Sequence, residues 1–112
     1  MARKQIAQSR PSATTAATLV QESRPWSVDT IVVTNTGAGS ANVRVFHDAD
    51  GTTHDTSTAL IYDVPVAVGE VYMIEFDKPV RNVNRSGSLG LQVSVADTLT
   101  VTVFGEVEGD RD

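Results

Sequence analysis

The chain has 112 residues, a net charge of −5 and no cysteine. That length allows one domain around one core, the acidic balance repels phosphate backbones and sets nucleic acid aside as a ligand, and disulfides, thiolate nucleophiles and zinc–thiolate sites are excluded. No apolar run nears the roughly 20 residues that cross a bilayer, and the basic residues near Met1 lead into no apolar stretch, so the expectation is a protein made and used without export and without a membrane.

Residue choice points to β structure. Seventeen Val and thirteen Thr outnumber nine Leu and Ile together, and β-branched side chains suit a pleated surface while losing rotamer freedom in a helix. Residues 1–18, rich in Ala, Ser, Thr and Gln, read as an extended arm with a partial strand over 4–8 around Ile6. Pro11 interrupts regular structure there. Such an arm either frays or pairs with a neighbouring subunit's sheet edge. Residues 19–108 read as the domain proper, and 109–112 as a polar tail.

Within the domain, 26–35 is a strand ended by Thr36-Gly-Ala-Gly-Ser40, a turn requiring unusual dihedrals. Residues 42–47 return, and a polar loop over 48–55 follows. Residues 59–64 form a strand stopped at Pro65. A turn over 66–69 leads to a strand over 70–77 and then to an irregular connection over 78–87. The clearest strands come last. Leu89, Leu91, Val93 and Val95 share one face, as do Leu99, Val101 and Val103, which is the period of a half-buried strand. Ala96-Asp97 between them reads as a tight hairpin. Gly105 marks a bulge.

Seven to eight short strands separated by Gly, Pro, Asn and Asp turns predict an all-β antiparallel sandwich or jelly roll. Several strands carry apolar residues on both faces. Ile31 and Val33 alternate with Trp26, Val28 and Val32; Phe46 opposes Val43 and Val45; Val71 and Met73 oppose Tyr72 and Ile74. A free sandwich presents polar outer faces, so a partner subunit is expected to cover the second one.

Four motifs occur in a distinctive order. They are Ala7-Gln8-Ser9-Arg10-Pro11-Ser12-Ala13-Thr14-Thr15, Thr30-Ile-Val-Val-Thr-Asn35-Thr-Gly37, Tyr62-Asp63-Val64-Pro65-Val66-Ala67-Val68-Gly69 and Val101-Thr-Val-Phe104-Gly105. In this order and spacing the chain resembles small virion structural proteins of tailed bacteriophages. The resemblance implies a multimeric β-sandwich on a head or tail surface and carries over no catalytic residue. The chain departs from the pattern at Gln21-Glu-Ser-Arg-Pro-Trp26, which is more polar, and in the 47–55 loop, which is more acidic.

The densest polar cluster holds His47, Asp48, Asp50, His54 and Asp55. Paired carboxylates followed by Gly51 suggest part of a calcium loop, and two histidines with nearby carboxylates suit a transition metal. The calcium spacing is incomplete, with no closing Glu. A solvated hairpin loop shaped by Asp and Gly is the favoured reading, and no cofactor is expected. Both histidines of the chain lie here, so this loop is the pH-sensitive spot. Any acid–base scheme would need one of them. Glu70 with Glu75, or Asp63 with Asp77, could serve as glycosidase carboxylates, with no supporting motif. An enzyme is not expected.

The interface candidates are Ile6, Pro11, Trp26, Phe46, Met73, Arg81 and Arg85, with Arg44 as a further charged contact. Trp26 is the best exposed aromatic for stacking on a sugar, with Tyr62 and Tyr72 as others, while a core or interface anchor is the favoured role for it. The leading reading is a capsid decoration (cement) protein on the virion surface, assembled in the host cytoplasm. It would bridge major capsid protein subunits as a homo-oligomer, with a trimer favoured. The alternatives are a tail- or fibre-associated protein, or a carbohydrate-binding adhesion module contacting a host-surface glycan.

Overall fold

The computed structural model describes residues 4–108. The strands are β1 (Lys4–Ser9), β2 (Ala17–Val20), β3 (Trp26–Asn35), β4 (Ala41–Asp48), β5 (Ala59–Val66), β6 (Val71–Asn82), β7 (Ser88–Val93) and β8 (Leu99–Val107), with one 3-10 turn at Thr56–Thr58. They form two four-stranded sheets, in the orders β1-β8-β3-β6 and β2-β7-β4-β5. Every strand pair is antiparallel. Each connection except β4–β5 passes from one sheet to the other. This is the strand order of the eight-stranded jelly roll, the form of sandwich that viral capsid and lectin domains share.

The core lies between the sheets. Val28, Ile31 and Val33 of β3 and Leu99, Val101 and Val103 of β8 meet Val43 and Val45 of β4 and Leu89, Leu91 and Val93 of β7. Each such side chain contributes about 1.5–3 kcal/mol by leaving water. The alternation that marked β7 and β8 in the sequence is the alternation that fills this core.

The structure corrects several local expectations. Ala96-Asp97 is no hairpin: β7 and β8 belong to different sheets. The link is a crossover, held by Asp97 N donating to Pro11 O at 2.8 Å. Residues 4–9, expected within an arm, form an edge strand paired with β8 of the same chain, and β2 was not foreseen. β5 runs through Pro65, which an edge strand tolerates because one side of it makes no ladder bonds. β6 continues to Asn82. It does so by looping out residues 76–79, Pro79 among them, opposite Asp29 of β3. The 36–40 turn needs no left-handed glycine, since Gly69 is the glycine with positive φ among the described residues. The Asn35 side chain shapes that turn instead. Its Nδ2 donates to Gly39 O and Val66 O, and its Oδ1 accepts from Gly37 N, all at 2.9 Å.

The reading of β3 as apolar on both faces holds for Val32 alone, and for a definite reason. Val28 faces Gly105 and Thr30 faces Phe104, so Asp29 is an extra residue. A bulge of this kind shifts the alternation by one. Trp26 and Val28 before it and Ile31 and Val33 after it all point inward and are buried. Gly105 lies opposite this bulge, where a Cβ would collide with Ser27 O.

Candidate functional site

The outer face of the first sheet is built from positions that alternate with the core. Registers across β6, β3, β8 and β1 set its side chains in four rows: Val71–Thr34–Thr100, Met73–Val32–Thr102–Gln8, Glu75–Thr30–Phe104–Gln5 and, beyond the β3 bulge, Arg81–Ser27–Glu106. The first two rows carry no charge, and Glu75, Arg81 and Glu106 gather the charge in the last two. Val71 and Met73 are 57% and 55% exposed. Gln8 Nε2 donates to Thr102 Oγ1 at 2.9 Å across the β1–β8 pair.

The free edges are blunted. β1 has an extra residue at Ile6, β2 at Leu19, β6 carries the 76–79 excursion, and β5 shifts register beside Arg44. Irregular edges resist addition of a foreign strand. Contact through a face is therefore favoured over contact through an edge.

The second sheet's outer face is dressed by its own chain. The segment between β4 and β5 folds back over it. His54 lies flat against Gly90, where a Cβ would stand 2.5 Å from the imidazole. It stacks on Phe46 with ring centroids 6.1 Å apart. Ser88 Oγ donates to Gly51 O at 2.7 Å, which leaves His54 Nε2 as the donor to Ser88 Oγ at 3.0 Å. Burial pushes the His54 pKa below the ordinary 6.5, opposed by the charge of Asp48. Asp48 accepts from Asp50 N and Thr53 N. Asp55 accepts from Ser57 Oγ and caps the 3-10 turn through Ser57 N. These bonds hold both carboxyls below the usual 3.8.

The loop candidates thus have separate partners. His47 points toward the core's end, with Nε2 2.9 Å from Asn82 Oδ1 and its ring edge-on to Trp26. Among the described residues no three His, Asp or Glu side chains gather into a set that could hold a metal. Neither histidine shares a hydrogen bond with a carboxylate.

Of the interface candidates, Met73 is exposed, while Trp26 and Phe46 are each 1% exposed. Trp26 is thus a core residue and offers no platform for a sugar. Its indole N–H is buried without a hydrogen-bond partner. Phe46 does lie on an outer face, but its cover is the chain's own loop. Ile6 packs against the core from the β1 bulge. Pro11 is half-buried and holds the β7–β8 crossover through its carbonyl. Arg81 pairs with Glu108 at 3.2 Å on an exposed surface. Arg85 is exposed.

At the other end of the second sheet lies a cleft of about 200 Å³. Arg44 reaches Asp63 through two bonds, Nε to Oδ1 at 2.6 Å and NH2 to Oδ2 at 3.1 Å. Its NH1 donates to Gln92 Oε1 at 3.2 Å, and its guanidinium lies 4.2 Å from the centre of the Tyr62 ring. The hydrogen bond from Arg44 holds the Asp63 carboxyl below 3.8. Sequence reasoning did not bring these residues together. Asp63 and Asp77, considered there as a carboxylate pair, stand on β5 and β6 in different sheets. The one available signal was an Asp inside an apolar strand, a residue type that strands disfavour.

No known protein family matches the chain, and no curated protein does. Among solved structures, one described as the structure of infectious bursal disease virus Gx strain aligns with 98% of this chain at a TM-score of 0.48 and 12% identity. The alignment spans 34% of that viral chain.

Proposed function

We propose that this chain is a non-enzymatic structural protein of a virion, and within that class a capsid decoration protein that bridges major capsid protein subunits. The observation that carries the reading is the outer face of the first sheet. Val71, Met73, Val32 and Phe104 stand there among threonines; the Val71 and Met73 rows carry no charge, and Glu75, Arg81 and Glu106 lie toward the other end. Desolvating such a surface against a partner costs little, and its apolar groups gain by burial. Threonine hydroxyls can exchange water for polar groups of the partner. The blunted edges direct assembly to this face. The jelly roll is at home in viral capsids, a likeness of fold that adds to the reading without carrying it.

Peptide mass spectrometry of purified particles tests the location. The chain should be present in them, and a Met73→Lys variant should be lost from them while still folding. A variant retained as well as the wild type would remove this face from the interface. Absence of the wild-type chain from the particles would end the virion reading. Light scattering on the purified chain tests the favoured trimer, which Met73→Lys should dissociate if the same face closes it.

A further inference from the structure

We infer that the cleft over the second sheet binds a neutral saccharide unit, with the Arg44–Asp63 pair reading two vicinal hydroxyls and Tyr62 supporting the guanidinium from its other side.

The backbone of β5 is built to bring these groups together. Val64 faces Val43 and Ile61 faces Val45, so Tyr62 and Asp63 both stand opposite the single residue Arg44. This two-against-one bulge aims both side chains at the guanidinium. Asp63 adopts φ 54°, a left-handed conformation that a non-glycine residue enters at a cost. The ion pair does not explain that cost through stability. The two side chains are 30% and 43% exposed, and pairs so solvated contribute little. A strained bulge that only orients surface groups is the pattern of a binding site.

Charge and valence narrow the ligand. The guanidinium has five N–H donors. Asp63 takes two and Gln92 takes one, which leaves two for a ligand. The carboxylate keeps acceptor positions free beside those that Arg44 fills. The pair is neutral as a unit, so neither an anion nor a cation gains a net charge partner. A vicinal diol matches it, since each hydroxyl can donate to the carboxylate and accept from the guanidinium. Asn42, Ser94 and Thr14 complete the polar lining. The Tyr62 ring lies under the Arg44 guanidinium, so the tyrosine positions the pair from one side and does not itself stack on the ligand.

The site is also rigid before any ligand arrives. Gln92 Nε2 is tied to Thr14 O at 3.1 Å, and Arg44 is held on three sides by Asp63, Gln92 and Tyr62. Side chains already ordered lose less freedom on binding. The cleft lies on the sheet opposite the Val71–Met73 face, so binding here would not compete with assembly there.

The test is a solution NMR titration of the full chain with D-galactose, D-glucose, D-mannose and L-rhamnose, and with N-acetylneuraminic acid as the anionic comparator. At least one neutral sugar should shift the Arg44 Nε–H and Gln92 side-chain amide signals, with a Kd in the millimolar range. Asp63→Asn tolerates the left-handed backbone, and it should weaken binding about tenfold or more through the lost charged hydrogen bonds. Tyr62→Ala should weaken it as well, while Met73→Ala should leave it unchanged. No response of the two side-chain signals to any neutral sugar, or a response to N-acetylneuraminic acid alone, would overturn the inference. The wild-type titration decides this even if a variant fails to fold.

Discussion

Among the described residues no loop folds over the outer face of the first sheet, whereas the outer face of the second is covered at one end and charged at the other. Both arise from the same alternation, which sends every second residue of a strand away from the core. What differs is the rest of the chain. On the second sheet the β4–β5 segment is long enough to fold back, and Gly90 gives its histidine a place to lie. On the first sheet no segment among the described residues returns, and Val71 and Met73 stay exposed. An apolar residue pointing outward is therefore ambiguous until its cover is known. Phe46 and Met73 look alike in sequence and have opposite surroundings.

Substitutions separate the two faces by size of effect. Phe46→Ala should cost about 3–5 kcal/mol, as for other buried aromatic side chains, while Met73→Ala should stay within about 0.5 kcal/mol. Urea denaturation of both variants measures the contrast, and similar losses would mean that the first face is not bare. Gly90→Ala should cost about 1–3 kcal/mol, because the added methyl group must displace the His54 ring. An unchanged midpoint would show that the ring does not need that slot.

Acid should loosen the covered face first. The His54 pKa is lowered from 6.5 by burial, so below that pH the unfolded chain binds the proton more readily than the folded one. Stability is then complete above about pH 6.5 and falls as the pH drops toward the folded-state value. Melting temperatures between pH 7.5 and about pH 5 should show this decline, and His54→Gln should flatten it. Asp48, Asp55 and Asp63, all held below 3.8, contribute stability above that value that is lost only as the pH falls through their folded values. The smallest effect belongs to the Arg44–Asp63 pair. A double-mutant cycle should give a coupling of about 0.2–1 kcal/mol, and a much larger value would make the bulge a structural device.

Much of the fold was legible because a strand announces itself locally. β3 was bounded at its observed ends, and the core residues of β7 and β8 followed from a period of two. The 36–40 turn was placed correctly, although its cause is the Asn35 amide and not a glycine dihedral. Bulges were not legible. Asp29 reverses the facing of everything after it, and nothing near it in sequence announces an extra residue. For Trp26 a core or interface anchor was favoured over a sugar platform, but its neighbours Arg24 and Pro25 could not decide between core and interface, because its burial depends on β6 and β8, where Asn82 and Val107 stand opposite it. The cleft was missed for a related reason. Arg44, Asp63 and Gln92 lie on three strands, and only the order β7-β4-β5 makes them neighbours.

The sequence alone determined that this is an all-β chain with most of its strands and turns in place, because alternation and turn chemistry act over a few residues. Tertiary structure decided which strands pair, which connections cross between sheets and which apolar residues are covered. Those outcomes rest on contacts between distant segments, such as Gln8 with Thr102, 94 residues apart. Their free energy comes from burying two complementary faces at once, which no local pattern encodes.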